Sequence, residues 1–256
     1  MAKSKGQTPA SGRNRLTGET RSVHRSIARD LGIAIVSGRY QPGEALSAEV
    51  DFAEQLKVSR GAYREAIRML AAKGLIDSRP KTGTRVSPKE DWNLLDPDVL
   101  AWTLEGEPSP AFIRDLFELR LIVEPAAAAL AAERRTGAEL ARMGHALEEM
   151  ARLGLAVPEG RDADQNFHRV IMAATRNASI ISLSSSIGAA VRWMTIFKRD
   201  RNRVTRDLIG EHRAIFDAIA ASDPAAARAA MTTLIGMALQ DTETMLEHDL
   251  NRAALA

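Results

Sequence analysis

Three side chains in the second half of the chain are of the types that bind divalent metal ions. Asp164 and His168 lie four residues apart in ADQNFHRVIMAAT, so both project from one face of one helix. His212 lies near the buried side of a later helix, within EHRAIFDAIA. A carboxylate and two imidazoles can hold a divalent ion, with water or ligand oxygens completing the coordination. The same spacing also suits hydrogen-bonded core histidines, and the residues alone leave both interpretations open.

Arg120 is a candidate for binding a carboxylate. It falls on the apolar face of another predicted helix, and a buried guanidinium needs an anionic partner because an unpaired buried charge is very costly. The partner is either Glu124, one turn on, or a ligand carboxylate held bidentately. We favour the ligand, with Arg120 and Glu124 both facing it. A metal and an arginine together suit a hydroxy acid or a sugar acid such as an aldonate.

Three further residues are candidates for the wall of this pocket. Asn177 is expected to cap the helix that starts at Ala178, although it can also donate to a ligand. Arg192 and Trp193 lie midway along that helix, where walling the pocket and ordinary packing are equally good interpretations.

A second group of residues has the spacing of a DNA-reading helix. Arg60, Arg64 and Arg68 are four residues apart and share one face of a helix that Ser59 is expected to cap. A cationic stripe on an exposed helix suits the grooves and phosphates of a DNA duplex. The alternative is a solvated amphipathic helix, which the neighbouring elements argue against.

Those elements predict a winged helix–turn–helix module. Residues 22–38 have helical periodicity, a second helix starts near Ser47, and the arginine-bearing helix follows it. Two short strands, 76–79 and 84–86, then flank a basic tip. The tip residues are candidate DNA contacts, namely Lys81, Thr82 and Gly83. In such a module the second helix of the pair enters the major groove of double-stranded DNA.

The charge of the chain divides in the same place. Residues 1–86 hold 16 Lys and Arg against 8 Asp and Glu, a net charge of +8, whereas the remainder holds 19 against 25, a net charge of −6. A basic first third separates a polyanion-binding part from the rest. We predict a disordered basic tail (1–20), a DNA-binding domain (21–86), a linker (87–97) and an all-helical effector-binding and dimerisation domain (98–256).

The second domain shows only helical patterns. The fold class is therefore mainly α, an N-terminal winged helix–turn–helix followed by an antiparallel helical bundle. The predicted helices are 98–105, 111–135, 137–154, 162–175, 178–199, 205–221 and 224–253.

Composition excludes several classes of protein. The 256 residues include no Cys, which rules out disulfides and thiolate metal sites. No apolar run has the length of a membrane span, and the first 20 residues lack a signal-peptide core. We expect a soluble cytoplasmic protein without membrane contact.

The order of these features resembles the GntR family of bacterial transcription regulators, in the FadR-type branch with an FCD effector domain. The motifs that carry the resemblance are 35–43 (IVSGRYQPG), 58–60 (VSR), 63–66 (YREA), 74–76 (GLI), 120–124 (RLIVE), Asp164 with Phe167-His168, Asn177, and Glu211-His212. The resemblance implies a homodimeric repressor that leaves a pseudo-palindromic operator when a small carboxylate binds the helical domain.

The resemblance also assigns roles to positions. Arg60 and Arg64 would read or clamp the operator, and Gly83 with its neighbours would place the wing in the minor groove. Many relatives have Arg where this chain has Val50, so one DNA contact is missing. The family position favours a metal, Zn²⁺ or Ni²⁺, at the Asp-His-His set. Many FCD domains add a third His, where this chain has Leu234, which predicts weaker metal binding.

Two other interpretations compete with a ligand-responsive repressor. In a metal-dependent enzyme acting on hydroxy acids, Asp164, His168 and His212 would activate a water molecule. That interpretation lacks an obvious general base and leaves the +8 domain unexplained, so we expect no enzymatic activity. In the other, the metal is purely structural and the effector binds elsewhere.

Overall fold

The computed structural model describes residues 13–46, 59–79, 83–106, 108–199 and 207–253. The chain divides into two compact units, Met1–Gly106 and Glu107–Ala256. Each unit has its own core and is described by itself.

In its described residues, the N-terminal unit combines three α-helices with a small antiparallel sheet. Helix α1 spans Arg13–Val36, α2 spans Arg60–Ala72 and α3 spans Pro97–Glu105. Strand β1 (Ile76–Arg79) pairs with β2 (Gly83–Val86), with Ile76 opposite Val86. A bridge between Ala45 and Arg85 adds a third short segment on the other side of β2. This is the helix and wing arrangement that the sequence predicts.

The core of this unit lies between α1, α2, the wing and α3. Ser59 starts α2 by accepting a hydrogen bond from the backbone N–H of Ala62, as its predicted role as N-cap requires. The apolar side of α2 then packs on α1, which leaves its arginine side outward. The buried residues of this core are Ile27, Ala28, Leu31, Ile35, Leu46, Ala62, Tyr63, Ala66, Leu70, Leu75, Ile76, Val86, Val99 and Trp102.

Helix α1 is longer than predicted. Residues 13–20, assigned by sequence to the disordered tail, form its first turns. The physical reason is cooperativity, since extending an existing helix adds one hydrogen bond for each residue fixed. Residues 1–12 of the tail and the predicted first helix of the helix–turn–helix pair, 47–58 with Val50, lie outside the described residues.

The segment predicted to be a linker packs against the DNA-binding unit. A short 3₁₀ turn, Lys89–Asp91, approaches Gly74, whose positive φ of 75° and missing Cβ let the carbonyl oxygen of Asp91 come close. Lys73, at the end of α2, donates to Asp96 (2.7 Å) and lies 2.8 Å from Asp98. Burial lowers the pKa of Lys73, but these two carboxylates raise it above its usual value.

Helix α3 also belongs to the N-terminal unit, although its residues were assigned by sequence to the second domain. Asp96 caps α3 by accepting from the N–H groups of Asp98 and Val99. The centre of the Trp102 ring lies 5.6 Å from Nζ of Lys73. The same ring packs against α1 at Gly32. The sequence showed the helix but not the surface on which it packs.

The C-terminal unit is all-helical in its described residues, which confirms the predicted fold class. Its helices are α4 (Pro110–Arg134), α5 (Gly137–Leu153), α6 (Pro158–Ala174), α7 (Ala178–Ser182), α8 (Ser184–Arg199), α9 (Leu208–Ala220) and α10 (Pro224–Ala253). The predicted helix 178–199 is divided at Leu183, and α6 starts four residues before its predicted beginning. Along the described parts of the chain, every helix is too short or too polar to cross a membrane.

Candidate functional site

Three helices of the C-terminal unit bring five polar side chains into its core. Helix α4 supplies Arg120 and Glu124, α6 supplies Asp164 and His168, and α9 supplies His212. In α4 and α6 the two residues are one turn apart, so each pair shares a face. All five are at most 4% exposed. Buried charges at this depth are retained only where they have partners, and here they are each other's partners.

The predicted metal-binding residues converge. The Nε2 atom of His212 lies 3.0 Å from Oδ1 of Asp164, and Nε2 of His168 lies 3.6 Å from the same oxygen. One donor atom from each residue lies within 4.8 Å of the other two. The ring of Phe167 meets both imidazoles edge-on and fills the apolar side of the cluster. The three residues therefore lie together in the core, and their binding of a metal ion stays a prediction.

The outer nitrogens of the two imidazoles are also engaged. His212 Nδ1–H donates to the carbonyl oxygen of Leu208 at 2.7 Å. His168 Nδ1–H donates to Oε2 of Glu124 at 2.5 Å, and the other oxygen of Glu124 accepts from Arg120 Nε at 2.5 Å. Both rings are thus held with Nε2 toward Asp164.

The electrostatics of the cluster follow from these contacts. Burial raises the pKa of Glu124, but Arg120 and His168 outweigh it and hold that pKa at about 2. Burial likewise raises the pKa of Asp164, yet its hydrogen bond with His212 brings it below the usual value. For His212, burial lowers the pKa and Asp164 more than compensates, so the pKa is raised.

This donor set fits a divalent metal ion. One carboxylate oxygen and two imidazole nitrogens are ligands that Zn²⁺ and Ni²⁺ accept, and three protein ligands leave coordination positions for water or a small molecule. Metal-binding histidines usually donate their second N–H to a carboxylate or carbonyl, as both His168 and His212 do. Leu234, where the resemblance places a third histidine in many FCD domains, is buried and apolar.

Two residues of α8 take part that sequence reasoning missed. Thr195 Oγ1 lies 3.3 Å from Oδ2 of Asp164, and Met194 Sδ accepts from Arg120 at 3.2 Å. The only signal for them was the buried side of α8, which carries Val191 and Met194 with Thr195 beside them.

The other predicted effector residues lie nearer the surface. Asn177 is exposed and caps α7, accepting from the N–H groups of Ser179 and Ile180. Arg192 is 43% exposed and pairs with Asp162 at 2.5 Å. Trp193, the next residue, is half-buried. Contact of these residues with an effector stays a prediction.

The predicted DNA-binding residues lie on the exposed side of the N-terminal unit. Arg60, Arg64 and Arg68 are all exposed on α2, and Arg68 lies 3.1 Å from Glu65. Gly83, at the start of β2, has a positive φ of 78°. The neighbouring tip residues Lys81 and Thr82 lie outside the described part of the chain.

Both units match known protein families. Residues 24–86 match the bacterial regulatory proteins of the gntR family, and residues 115–236 match the FCD domain. The chain is 38% identical to the galactonate operon transcriptional repressor of Escherichia coli (strain K12) over 213 residues, 82% of this chain and 92% of the relative. It is 32% identical to the HTH-type transcriptional regulator LutR of Bacillus subtilis (strain 168), over 77% of this chain and 90% of that one.

A solved structure shares the fold. The structure titled as Lar, which controls expression of the Listeria monocytogenes agr system, superimposes with a TM-score of 0.59 and 20% identity, covering 88% of this chain and 96% of that one. The fold of this chain is thus a known one. The chain belongs to the GntR family of bacterial transcription regulators, with an FCD domain that follows the DNA-binding module in the sequence, and is a DNA-binding regulator rather than an enzyme.

Proposed function

We propose that this regulator is a repressor that a small hydroxy acid or sugar acid releases from its operator, with the acid bound beside a divalent metal ion. The observation that carries the proposal is the buried cluster of Asp164, His168 and His212 next to Arg120. A buried arginine beside a metal-binding set suits a molecule that carries both a carboxylate and a hydroxyl group.

The residues divide the work of recognition between them. Asp164, His168 and His212 would hold the ion, which supplies a positive centre for ligand oxygens. Arg120 has a planar fork of N–H donors that matches a carboxylate bidentately. Among the described residues its acceptors are Glu124 and the weakly accepting sulfur of Met194. The relative named for the galactonate operon supports an aldonate as the first ligand to test.

The DNA-binding side of the proposal rests on α2 and the wing. Exposed Arg60 and Arg64 would contact base edges and phosphates in the major groove, as the second helix of such modules does. Arg68, furthest from the start of α2, would contact phosphate. A single module buries little DNA surface, so we propose a homodimer on a pseudo-palindromic operator, working in the cytoplasm.

Release would be a shift between two states of the dimer. The acid binds one state better and thereby changes the population that can hold two half-sites at once. The size of the response is set by the difference in the acid's affinity for the two states, and not by how tightly it binds either one.

The test is an electrophoretic mobility shift with DNA from upstream of the protein's own gene, at physiological salt. We expect a specific shift that D-galactonate reverses and D-galactose does not, because galactose lacks the carboxylate. A protein that gives no specific shift would refute the DNA-binding part of the proposal. A specific shift that no sugar acid or hydroxy acid reverses would refute the effector part.

The role of the metal is tested by titrating D-galactonate into metal-loaded protein and into protein treated with a chelator. If the ion contacts the acid, affinity falls in proportion to the loss of metal. Unchanged affinity in folded, metal-free protein would mean that the ion is structural and that the acid binds elsewhere.

A further inference from the structure

The amino-acid sequence does not show which partners the Glu124 carboxylate has in the folded protein. Its two carboxylate oxygens are shared between two helices, because Oε1 accepts from Arg120 Nε on its own helix and Oε2 accepts from His168 Nδ1–H on α6. The residue is 1% exposed, so both oxygens have their partners within the protein core. Sequence reasoning had placed Glu124 in contact with the effector.

We propose that Glu124 is a positioning residue for the metal site, and that Arg120 influences metal affinity through it. The inference rests on the proposed metal site and deepens it. Glu124 fixes the ring of His168 so that Nδ1 carries the proton and Nε2 faces Asp164. It does not contact the effector, and its carboxylate connects the arginine that recognises the acid with a ligand of the metal.

The geometry of the two histidines supports this role. His168 and His212 both present Nε2 to Oδ1 of Asp164, at 3.6 and 3.0 Å. The Nδ1 atoms of the two rings have different partners. Nδ1–H of His212 donates to the backbone carbonyl of Leu208, which no side-chain substitution removes, whereas Nδ1–H of His168 donates to the side chain of Glu124. His168 is therefore the ligand whose orientation a single carboxylate controls.

The ion pair between Arg120 and Glu124 supports the same assignment. A carboxylate that accepts a charged hydrogen bond from a guanidinium stays an acceptor, so it can only accept from His168 and not donate to it. The pair also keeps Glu124 in place, because the i, i+4 spacing on one helix fixes where its oxygens lie.

The experiment measures the affinity of the full-length protein for Zn²⁺ alone, by competition with a chromophoric chelator. Glu124→Gln should weaken Zn²⁺ binding by about 10- to 100-fold, the usual effect of losing an outer partner of a metal-binding histidine. Glutamine is a poor substitute because its neutral amide accepts more weakly and can also present its NH₂ group to His168.

The matched control is Glu139→Gln. Glu139 is also a buried glutamate, on α5, where it accepts from Thr136 and pairs with Arg176 instead of with the cluster. Its substitution should lower stability and leave the Zn²⁺ affinity unchanged. Glu124→Asp, which keeps the charge on a shorter side chain, should fall between wild type and Glu124→Gln.

The path through Glu124 is tested by a double-mutant cycle. Arg120→Met should weaken Zn²⁺ binding in the wild-type background and have no further effect when Glu124→Gln is present. Additive effects would show that Arg120 does not act through Glu124. The ring nitrogens of His168 in wild-type protein, observed by ¹⁵N NMR, should show the proton on Nδ1, a measurement that needs no variant to fold.

The outcomes separate the two proposals. Wild-type protein that binds neither Zn²⁺ nor Ni²⁺ would overturn the metal site and this inference together. Wild-type protein that binds Zn²⁺, beside a Glu124→Gln variant that binds it equally well, would overturn only the role of Glu124. A neutral His168 with its proton on Nε2 and none on Nδ1 in the metal-free protein would do the same.

Discussion

Arg120 illustrates how one residue can belong to both halves of the candidate site. Its Nε is committed to Glu124 and its Cζ lies 5.7 Å from the centre of the Phe117 ring, so the side chain is fixed before any ligand arrives. Fixing the donor in advance reduces the entropy lost on binding. The fork geometry, more than the positive charge, should therefore determine recognition of the acid.

The substitution Arg120→Lys tests that statement. Lysine keeps the charge and loses the planar pair of donors, so we expect D-galactonate to bind at least about tenfold more weakly, since one charged hydrogen bond contributes about 1.5–3 kcal/mol. Isothermal titration measures the affinity, and operator binding without acid should be unchanged. Arg152→Lys is the control, because Arg152 pairs with Glu149 on the exposed side of α5. An equal loss in both variants would contradict a specific role of Arg120 in binding the acid.

The protonation of His212 predicts how metal binding depends on pH. Asp164 raises the pKa of His212, whereas a metal ligand must give up the proton on Nε2. Protons therefore compete with the metal below that raised pKa, and Zn²⁺ affinity should fall about tenfold per pH unit there if one proton is displaced. Competition titrations between pH 6 and 8 measure this. The control His145→Gln changes an exposed histidine and should keep the slope, and a flat profile in wild type would contradict the prediction.

The residues of the site were predictable to different degrees. Asp164 and His168 follow from helical spacing within one segment, and the apolar pattern around His212 shows which way it faces. The contact between Glu124 and His168 joins residues 44 positions apart, and its existence depends on how α4 and α6 pack. Thr195 and Met194 depend in the same way on α8. Local periodicity shows which residues share a face of one helix, but not which helices pack against each other.

At the scale of elements, α3 shows what periodicity leaves undecided. Its helical character and the cap at Asp96 are readable from the sequence, but the partner surface is not. Trp102 lies against α1 where Gly32 has no side chain, and Arg29 on α1 pairs with Glu105 at the end of α3. The pairing of a glycine with a tryptophan 70 positions later is a tertiary fact that composition cannot reveal.

The substitution Gly32→Ala tests this packing. A Cβ atom at residue 32 would lie 2.3 Å from Cε3 of Trp102, so the ring must move out of a buried position. We expect the free energy of unfolding to fall by about 1–3 kcal/mol, the usual cost of overpacking a core, as measured by urea denaturation. Gly61→Ala is the matched control in the same unit, because its Cβ would meet open space on α2. This substitution should raise the free energy of unfolding by about 0.5–1 kcal/mol. A Gly32→Ala protein as stable as wild type would contradict the packing of α3 on α1.

At the scale of the whole molecule, the division of charge sets the salt dependence of DNA binding. The first 86 residues carry a net charge of +8 and the remainder a net charge of −6, so attraction to the polyanion is confined to one end of the chain. Each phosphate neutralised by Lys or Arg releases condensed counterions and adds about 0.9 to the slope of log affinity against log salt. The slope therefore counts phosphate contacts in the whole assembly.

Arg68→Ala turns that count into a test of the dimer. If Arg68 contacts one phosphate in each of two subunits, the slope should become shallower by about 1.8, twice the value for one contact. Fluorescence anisotropy with an operator duplex, at salt concentrations between about 50 and 300 mM, measures this slope. Arg142→Ala is the control, an exposed arginine in the acidic unit whose removal should leave the slope unchanged. A change near 0.9 would indicate a single bound subunit.

The contacts around Lys73 fix where this protein can be divided for engineering. A chimera that joins a foreign sensor directly after Val86 would remove Asp96, Asp98 and Trp102, and the largely buried ammonium of Lys73 would lose both carboxylates and the aromatic ring beside it. It would also expose the bare groove at Gly32. A portable DNA-binding cassette should instead run to Gly106, so that α3 and the segment before it travel with the wing.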